Sequence, residues 1–286
     1  MKIIEQFNNL VKDAVNEKAF PGANYAIVFK DHVIMNSFGS KSLYPNVEEN
    51  SIDTIYDMAS LTKIICTTTC ALKLIEQGTL RLYAPVKKYL PDFKFDNISV
   101  WNLMTHTSGL PEGVPHANAM KTPNEVWEKI NNLELKYEPG TKIHYSDVGY
   151  ILLGKIIETL TGRRLNEYAK EEIFDKLKMV DTTYLPVYSS RIAPTEYRDD
   201  SVYQGYVRGT VHDETSYALG GVAGHAGLFS TVKDVSNFLQ MILNEGMFEG
   251  ERFLSKATID VLYTPQVEEK NGVSMVTEKR SLGWIN

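Results

Sequence analysis

Ser60, Leu61, Thr62 and Lys63 form an S-x-x-K pattern. On a helix, the serine and the lysine of this pattern lie one turn apart on the same face. A serine hydroxyl is a weak nucleophile until a nearby base takes its proton, and a lysine shielded from water loses its own proton more readily and can be that base. The N–H groups at the start of the helix could also stabilise an oxyanion. The pattern therefore predicts a nucleophile, a base and an electrophile in one place.

The pattern alone is weak, because a chain of 286 residues contains about one such match by chance. A second match runs from Ser230 to Lys233, and the helices that the two matches begin differ in character. Residues 64–72 carry no charge, so the helix after Lys63 is predicted to be buried, where an amine is costly unless it is paired or neutral. Lys233 instead adjoins Asp234 on an amphipathic helix and is expected at the surface. Only the first match is a candidate for catalysis.

Tyr145, Ser146 and Asp147 stand at the start of a second apolar stretch, residues 148–160. In one interpretation, Ser146 or Asp147 caps a helix and Tyr145 is a packing residue. In the other, Tyr145 is a phenol held beside Lys63 that relays a proton to the leaving group. The residues leave both interpretations open.

The elements that must position these residues are mostly helical. A helix is predicted over residues 60–77, ending at Gly78, and a long one over residues 148–160, ending at Gly162. Thr122 and Glu125 predict a capping box at the start of another. The stretch GANYAIVFKDHVIMNSFG predicts a β-hairpin that turns at residues 30–32. Because an isolated hairpin is marginally stable, more strands are expected.

Four segments occur in one order along the chain: MASLTKIICTTTCALKLIEQGTLRLYAPVKKYLPDF, LMTHTSGLP, YSDVGYILLGKIIETLTG and GGVAGHAGLFSTVKDVSNFL. Together they resemble the serine β-lactamase and penicillin-binding-protein family, in the branch that holds class C β-lactamases, DD-peptidases and related esterases. The resemblance covers roughly residues 3–285. It implies that Ser60 is the acylated nucleophile, Lys63 its base partner and Tyr145 the tyrosine of the second motif. Which of Lys63 and Tyr145 is the base stays open.

The resemblance implies an α+β fold of the β-lactamase/transpeptidase type with the site in a cleft between two lobes. A discontinuous α/β lobe of residues 1–57 and 250–286 is expected beside a helical lobe of residues 58–249 that carries both motifs. The family's third motif, Lys or His followed by Thr or Ser and Gly, is not found. The last residues, SLGWIN, resemble the beginning of an apolar strand. We therefore expect a C-terminally truncated chain whose antiparallel sheet is incomplete at that end.

Further residues are assigned with this family in view. Asp147 stands where the second motif usually has Asn, which favours the esterase and peptidase members over the β-lactamases. Asp147 and His225, in the segment GHAG, are candidate substrate contacts, whereas structural hydrogen bonding is expected of His212 and Asp213. Cys66 and Cys70 are expected to be core residues, because two thiols without a second ligand pair predict neither a disulfide framework nor a metal site.

The net charge of −6, without a basic run, argues against nucleic acid and anionic membrane as partners. No apolar stretch reaches the roughly 18 residues of a membrane span. The N-terminal residues MKIIEQFNNLVKDAVNEKAF have helical spacing with interleaved charges, which predicts a folded helix rather than a signal peptide, and hence a cytoplasmic protein.

These observations predict a serine hydrolase without cofactor that acts through an acyl-enzyme on a small molecule or peptide: a D-peptide, a small ester or a β-lactam. The alternative, from a different class, is a catalytically impaired relative that binds or has no function. A third possibility is that a partner chain, including a second copy, completes the sheet at its exposed edge.

Overall fold

A hairpin near the N-terminus organises the first sheet of the protein. The computed structural model describes residues 2–30, 32–270 and 277–285. Helix α1 (Lys2–Asn16) precedes strands β1 (Gly22–Val28) and β2 (Val33–Ser42), which pair antiparallel from Gly22 opposite Gly39 to Val28 opposite Val33. Strand β3 (Glu48–Glu49) pairs with β2, so the sheet order is β1-β2-β3. The predicted hairpin is confirmed, while Asp31 of its turn lies outside the described residues.

Helices dominate the middle of the chain. A short strand, β4 (Tyr56–Asp57), leads into a continuous helical run. In this run Leu61 and Thr62 are α-helical, Lys63–Thr68 form a π-helix, and α2 (Thr69–Glu76) follows. The next helices along the chain are α3 (Val100–Met104), α4 (Pro123–Asn131), α5 (Asp147–Thr161) and α6 (Leu165–Ala169), the last continued by a π-helical turn (Lys170–Phe174). Single 3-10 turns occupy Val86–Lys88 and Ala117–Ala119.

Short strands alternate with helices in the last third of the described chain. The strands are β5 (Thr183–Tyr184), β6 (Tyr197–Asp199), β7 (Gln204–Tyr206), β8 (Leu228–Ser230), β9 (Met247–Phe248), β10 (Glu251–Arg252), β11 (Val267–Lys270) and β12 (Thr277–Arg280). The helices are α7 (Glu214–Ala218), which precedes β8, α8 (Val232–Leu243), which follows β8, and α9 (Lys256–Tyr263), which follows β10. The pairs β6–β7, β9–β10 and β11–β12 are antiparallel, and α8 packs against β1 and β2.

Helix α5 lies at the centre of the core, as its apolar sequence predicts. Its residues from Val148 to Leu153 are all buried, and α2, α3 and α6 pack against it. Ser146 caps its start by accepting the Gly149 N–H at 3.2 Å, and Gly162 ends it with a left-handed φ of 66°. The helix boundaries were predictable because both caps are local in sequence.

A small central sheet ties the nucleophile segment to the loop that contains His225. Its order is β4-β8-β5, with Tyr56 opposite Ser230, and the Met58 N–H donates to the Leu228 carbonyl at 2.8 Å. The same loop lies directly on α5, since a Cβ at Gly224 would come within 2.1 Å of the Tyr150 carbonyl oxygen. Only glycine permits this approach.

Residues 281–284 form a turn that brings Ile285 into an antiparallel bridge with Arg280, so the predicted beginning of a strand is limited to Ile285 among the described residues. The Ser281 N–H donates to the Trp284 carbonyl at 3.0 Å, and Gly283 has a left-handed φ of 82°. The Gly283 N–H donates to the Met104 carbonyl at 2.8 Å, which fixes the turn against α3. The division into lobes at residues 57 and 250 stays a prediction. Among the described helices, none is both long and apolar enough to cross a bilayer.

Candidate active site

Ser60 and Lys63 meet at the start of the buried helix, as their spacing predicts. Ser60 is exposed, whereas Lys63 is only 2% exposed. The Lys63 Nζ lies 2.9 Å from the Ser60 Oγ. It also donates to the His225 carbonyl at 3.1 Å and forms an ion pair with the Asp147 Oδ1 at 2.6 Å. A serine that faces solvent therefore has a buried lysine directly behind its hydroxyl.

The contacts of Lys63 indicate its charge in the resting state. The Lys63 Nζ donates to two oxygens, the Ser60 Oγ and the His225 carbonyl. The Asp147 carboxylate forms an ion pair with it at 2.6 Å, and a negative charge this near favours the charged form of the lysine. The sequence predicted an uncharged lysine, but this geometry favours an ammonium. A proton must therefore leave Lys63 before it can accept the proton of Ser60.

The face of the Tyr145 ring lies beside Lys63. The Lys63 Nζ is 4.8 Å from the centre of that ring, within the range of a cation–π contact. The Arg280 guanidinium carbon lies 5.7 Å from the same ring. Ser146 is the cap of α5, so the capping interpretation is confirmed for that residue. The structure brings the ring of Tyr145 next to Lys63, and the proton relay through its hydroxyl stays a prediction.

The backbone before Ser60 is strained and is held by one carboxylate. Ala59 has a φ of 44°, a left-handed conformation that few residues other than glycine adopt. The Asp57 carboxylate accepts the Ala59 N–H at 2.8 Å and the His212 N–H at 2.9 Å. Burial raises the pKa of Asp57, although both N–H donors and the nearby His212 act against that rise. Asp57 therefore links the nucleophile turn to the loop of residues 209–213.

The helix that carries Lys63 is not the regular α-helix that the sequence predicts. After Leu61 and Thr62, which are α-helical, Lys63–Thr68 are π-helical, a geometry that recurs at functional sites. Within it, the Thr67 hydroxyl donates to the Gly224 carbonyl at 2.6 Å, next to the carbonyl that Lys63 binds. This contact fixes the His225 segment against the helix.

His225 contributes its backbone to the site, and its ring lies elsewhere. The imidazole is 1% exposed, and its Nε2 lies 2.7 Å from the Asp213 Oδ1. A buried, paired ring does not face a substrate, so this placement does not favour the predicted substrate contact. Asp147, the other predicted contact, instead holds Lys63 and keeps 30% of its side chain exposed.

Asp213 is a site residue that the sequence analysis assigned only to structural hydrogen bonding. Its Oδ1 accepts the Ser216 N–H at 2.7 Å and so caps α7. Burial alone would raise its pKa, but the positive charge and hydrogen bond of His225, the Ser216 N–H and the charge of Lys63 lower it to about 2. The only signal in the sequence is the pattern of an ordinary helix cap, Asp213 to Ser216, which carries no information about Lys63.

Asp147, Asp213 and His225 place their ligand atoms within 4.8 Å of one another, as a divalent cation would require. However, the Lys63 Nζ already lies 2.6 Å from the Asp147 carboxylate. The cluster is therefore explained by the charge of the lysine, and it gives no independent indication of a metal.

Comparisons with known proteins identify the family of the chain. The family model of the Beta-lactamase family matches residues 7–285, so the chain belongs to this family. The predicted α+β fold of the β-lactamase/transpeptidase type is confirmed.

The chain is 32% identical to a Bacillus subtilis (strain 168) protein named "N-acetylmuramyl-L-alanine amidase", over 87% of this chain and 65% of that protein. It is 29% identical to a Salmonella agona (strain SL483) protein named "Putative D-alanyl-D-alanine carboxypeptidase", over 85% of this chain and 65% of that one. The chain thus spans just under two thirds of the length of these curated relatives.

Two solved structures have similar folds. The octameric penicillin-binding protein homologue from Pyrococcus abyssi superposes with a TM-score of 0.80 at 25% identity, over 99% of this chain and 64% of that one. A β-lactamase/D-alanine carboxypeptidase from Pseudomonas syringae superposes with a TM-score of 0.79 at 21% identity, over 100% and 75%, and indicates the fold alone.

Proposed function

We propose that this chain hydrolyses an amide bond next to alanine in a cell-wall type of peptide, through an acyl-enzyme on Ser60. The observation that carries the proposal is the exposed Ser60 hydroxyl 2.9 Å from the buried Lys63 amine. The choice of bond is supported by the names of two relatives, an N-acetylmuramyl-L-alanine amidase and a D-alanyl-D-alanine carboxypeptidase, which both describe an amide next to alanine.

Proton transfer begins at the ion pair between Lys63 and Asp147. The ammonium gives one proton to the Asp147 carboxylate, 2.6 Å away, and the resulting amine takes the Ser60 proton as the Oγ attacks the carbonyl carbon. A C–O bond forms and the carbonyl becomes an oxyanion. When the C–N bond breaks, the leaving amine takes the proton that Ser60 gave up, from Lys63 or through Tyr145.

Deacylation reverses the roles of the same groups. A water molecule attacks the ester carbonyl, its proton passes to Lys63, and the acid is released as Ser60 recovers its hydrogen. Tyr145 is the alternative base for the first step. The catalytic assignment of Ser60, Lys63 and Tyr145 is part of this proposal.

A binding module without catalysis is the second candidate. It is favoured by one observation, the absence of the family's third motif from this sequence. That motif carries an oxyanion-hole donor in the family, and the loss of one such donor costs about 10²–10³ in rate. In this case the site would hold a peptide or acyl group without forming a covalent bond.

A fluorophosphonate probe that modifies activated serines distinguishes the two candidates. We expect intact-mass analysis to show one label per folded wild-type chain and none on Ser60→Ala. The matched control is Ser230→Ala, which removes the serine of the second S-x-x-K pattern and should leave labelling unchanged, since Ser230 is fully buried. A folded wild type without label, or a label that persists on Ser60→Ala, would contradict the enzyme.

The substrate class is tested by offering an N-acylated D-alanyl-D-alanine peptide, N-acetylmuramyl-L-alanine and a simple p-nitrophenyl ester. We expect release of alanine from one of the two amides and dependence of that release on Ser60. Turnover of the ester without either amide would reject the amide assignment while keeping the serine mechanism.

A further inference from the structure

His106 lies in the segment LMTHTSGLP, for which the proposed mechanism has no role. It is 2% exposed and has a left-handed φ of 56°. Its carbonyl accepts the His144 N–H at 2.7 Å, and its ring Nδ1 accepts the Ser146 N–H at 3.0 Å. His106 therefore binds the backbone on both sides of Tyr145, about 40 residues away along the chain.

The ring of His106 also forms a platform for Tyr145. The two rings stack with centroids 4.6 Å apart and planes 27° apart. Behind His106 lies the fully buried Tyr150, at 5.1 Å and 28°, and the hydroxyl of Tyr150 pairs with the Thr68 hydroxyl at 3.2 Å. Tyr145 thus rests on two stacked rings that are anchored to the helix that carries Lys63.

The charge of His106 suits this arrangement. Burial, helped by the positive charges of Arg280 and Lys63, lowers the pKa of His106 to about 3. The imidazole is therefore neutral at neutral pH, and its Nδ1 keeps the lone pair that accepts the Ser146 N–H. A charged imidazole would lose that acceptor and would repel Lys63.

We propose that His106 is a positioning residue that holds the Tyr145 ring and the first turn of α5 against Lys63. Through Tyr145 it sets the ring that lies 4.8 Å from the Lys63 Nζ, and through the Ser146 N–H it sets the turn from which Asp147 reaches the same nitrogen at 2.6 Å. The catalytic consequence of this role rests on the proposed function. The positional role does not.

Two variants separate the ring from the acceptor and both suit the backbone. Asparagine tolerates a left-handed φ better than most residues, and its Oδ1 can replace Nδ1, so His106→Asn removes the ring and keeps the acceptor. Glycine adopts this φ without strain, so His106→Gly removes both. The matched control is His116→Asn, because His116 is also left-handed, with a φ of 59°, but is exposed.

The rate of Ser60 modification by the fluorophosphonate tests the catalytic consequence. A reacting group displaced by about 1 Å can cost a hundredfold in rate, so we expect folded His106→Asn to react about 10- to 100-fold more slowly than the wild type. His116→Asn should stay within about twofold of the wild type. The loss should shrink to about twofold when Tyr145→Phe is already present, because a positioning residue acts through its partner. An unchanged rate in folded His106→Asn, or an equal loss in both backgrounds, would overturn the proposal.

Hydrogen exchange at the Ser146 amide tests the positional role without activity. Protection of this amide should persist in His106→Asn and fall at least tenfold in His106→Gly. Persistent protection in His106→Gly would overturn the role. If the wild type is not modified by the probe but the exchange pattern is as expected, the proposed function fails and the positioning role stands.

Discussion

Replacing Asp213 by Asn tests how much the negative charge of Asp213, which lies among His225, the Ser216 N–H and Lys63, contributes to the free energy of unfolding. The substitution keeps the helix cap, since asparagine caps as well as aspartate, and keeps an oxygen 2.7 Å from the His225 Nε2. What it removes is the negative charge. The variant therefore isolates electrostatics from hydrogen bonding more cleanly than an alanine substitution would.

The size of the effect follows from the pKa of Asp213. Its surroundings lower that pKa from 3.8 to about 2, and each unit corresponds to about 1.4 kcal/mol, which gives about 2.4 kcal/mol at neutral pH. Because 31% of the side chain is exposed, solvent screening reduces the expected loss to about 1–2 kcal/mol. The charge is the stabilising form, so its contribution is complete above about pH 4 and is lost as the pH falls through 2.

Urea unfolding at pH 7 and pH 3 measures this contribution. Asp213→Asn should lower the free energy of unfolding by about 1–2 kcal/mol at pH 7 and by about half as much at pH 3. The exposed Asp92, replaced by Asn, is the matched control and should change little at either pH. An equal loss at both values of pH would show that the substitution acts through packing. No loss at pH 7 would refute the inference that the charge of Asp213 stabilises the folded protein.

Two further predictions test the backbone around the site. Asp57→Ala removes the acceptor of two N–H groups and should lower the free energy of unfolding, measured in urea, by about 2–4 kcal/mol. Adding Ala59→Gly to this variant should recover about 1 kcal/mol, because glycine adopts the left-handed φ without strain. A further loss of stability in the double variant would show that the Ala59 backbone is not strained. Gly224→Ala places a Cβ 2.1 Å from the Tyr150 carbonyl oxygen and should cost about 3 kcal/mol or more by the same measurement. Gly113→Ala, where a Cβ meets nothing within 4 Å, is the control and should change stability by less than about 1 kcal/mol, so equal effects of the two would refute the close approach.

Local signals in the sequence predict the helices well. The capping box of Thr122 and Glu125 begins α4, with the Glu125 carboxylate accepting the Thr122 N–H at 2.8 Å. Ser146 and Gly162 bound α5. Lys233 is exposed on α8, as its amphipathic context predicts. Each of these features depends on residues within one or two helical turns, so a pattern in the sequence contains the whole cause.

The environment of Lys63 was not predictable in the same way. The S-x-x-K spacing places Ser60 near it, but the carbonyl of His225 comes from 162 residues away. That distant contact exists because Gly224 lies on α5 and the Thr67 hydroxyl binds its carbonyl, and neither contact leaves a local pattern. The expectation of an uncharged lysine came from burial alone, since the sequence did not show that the Asp147 carboxylate would lie 2.6 Å from the lysine nitrogen.

Two residues with a left-handed backbone belong to the surroundings of the site. Ala59, immediately before Ser60, and His106, beneath Tyr145, are both left-handed and neither is glycine. Such residues persist only where their surroundings over-determine them: Asp57 holds the N–H of the first, and two hydrogen bonds and two ring stacks hold the second. The local sequence does not predict a left-handed backbone at either residue, because the groups that stabilise it are brought near only by the fold. The strain therefore lies where the geometry has to be fixed, with one residue setting the nucleophile and the other setting the phenol ring.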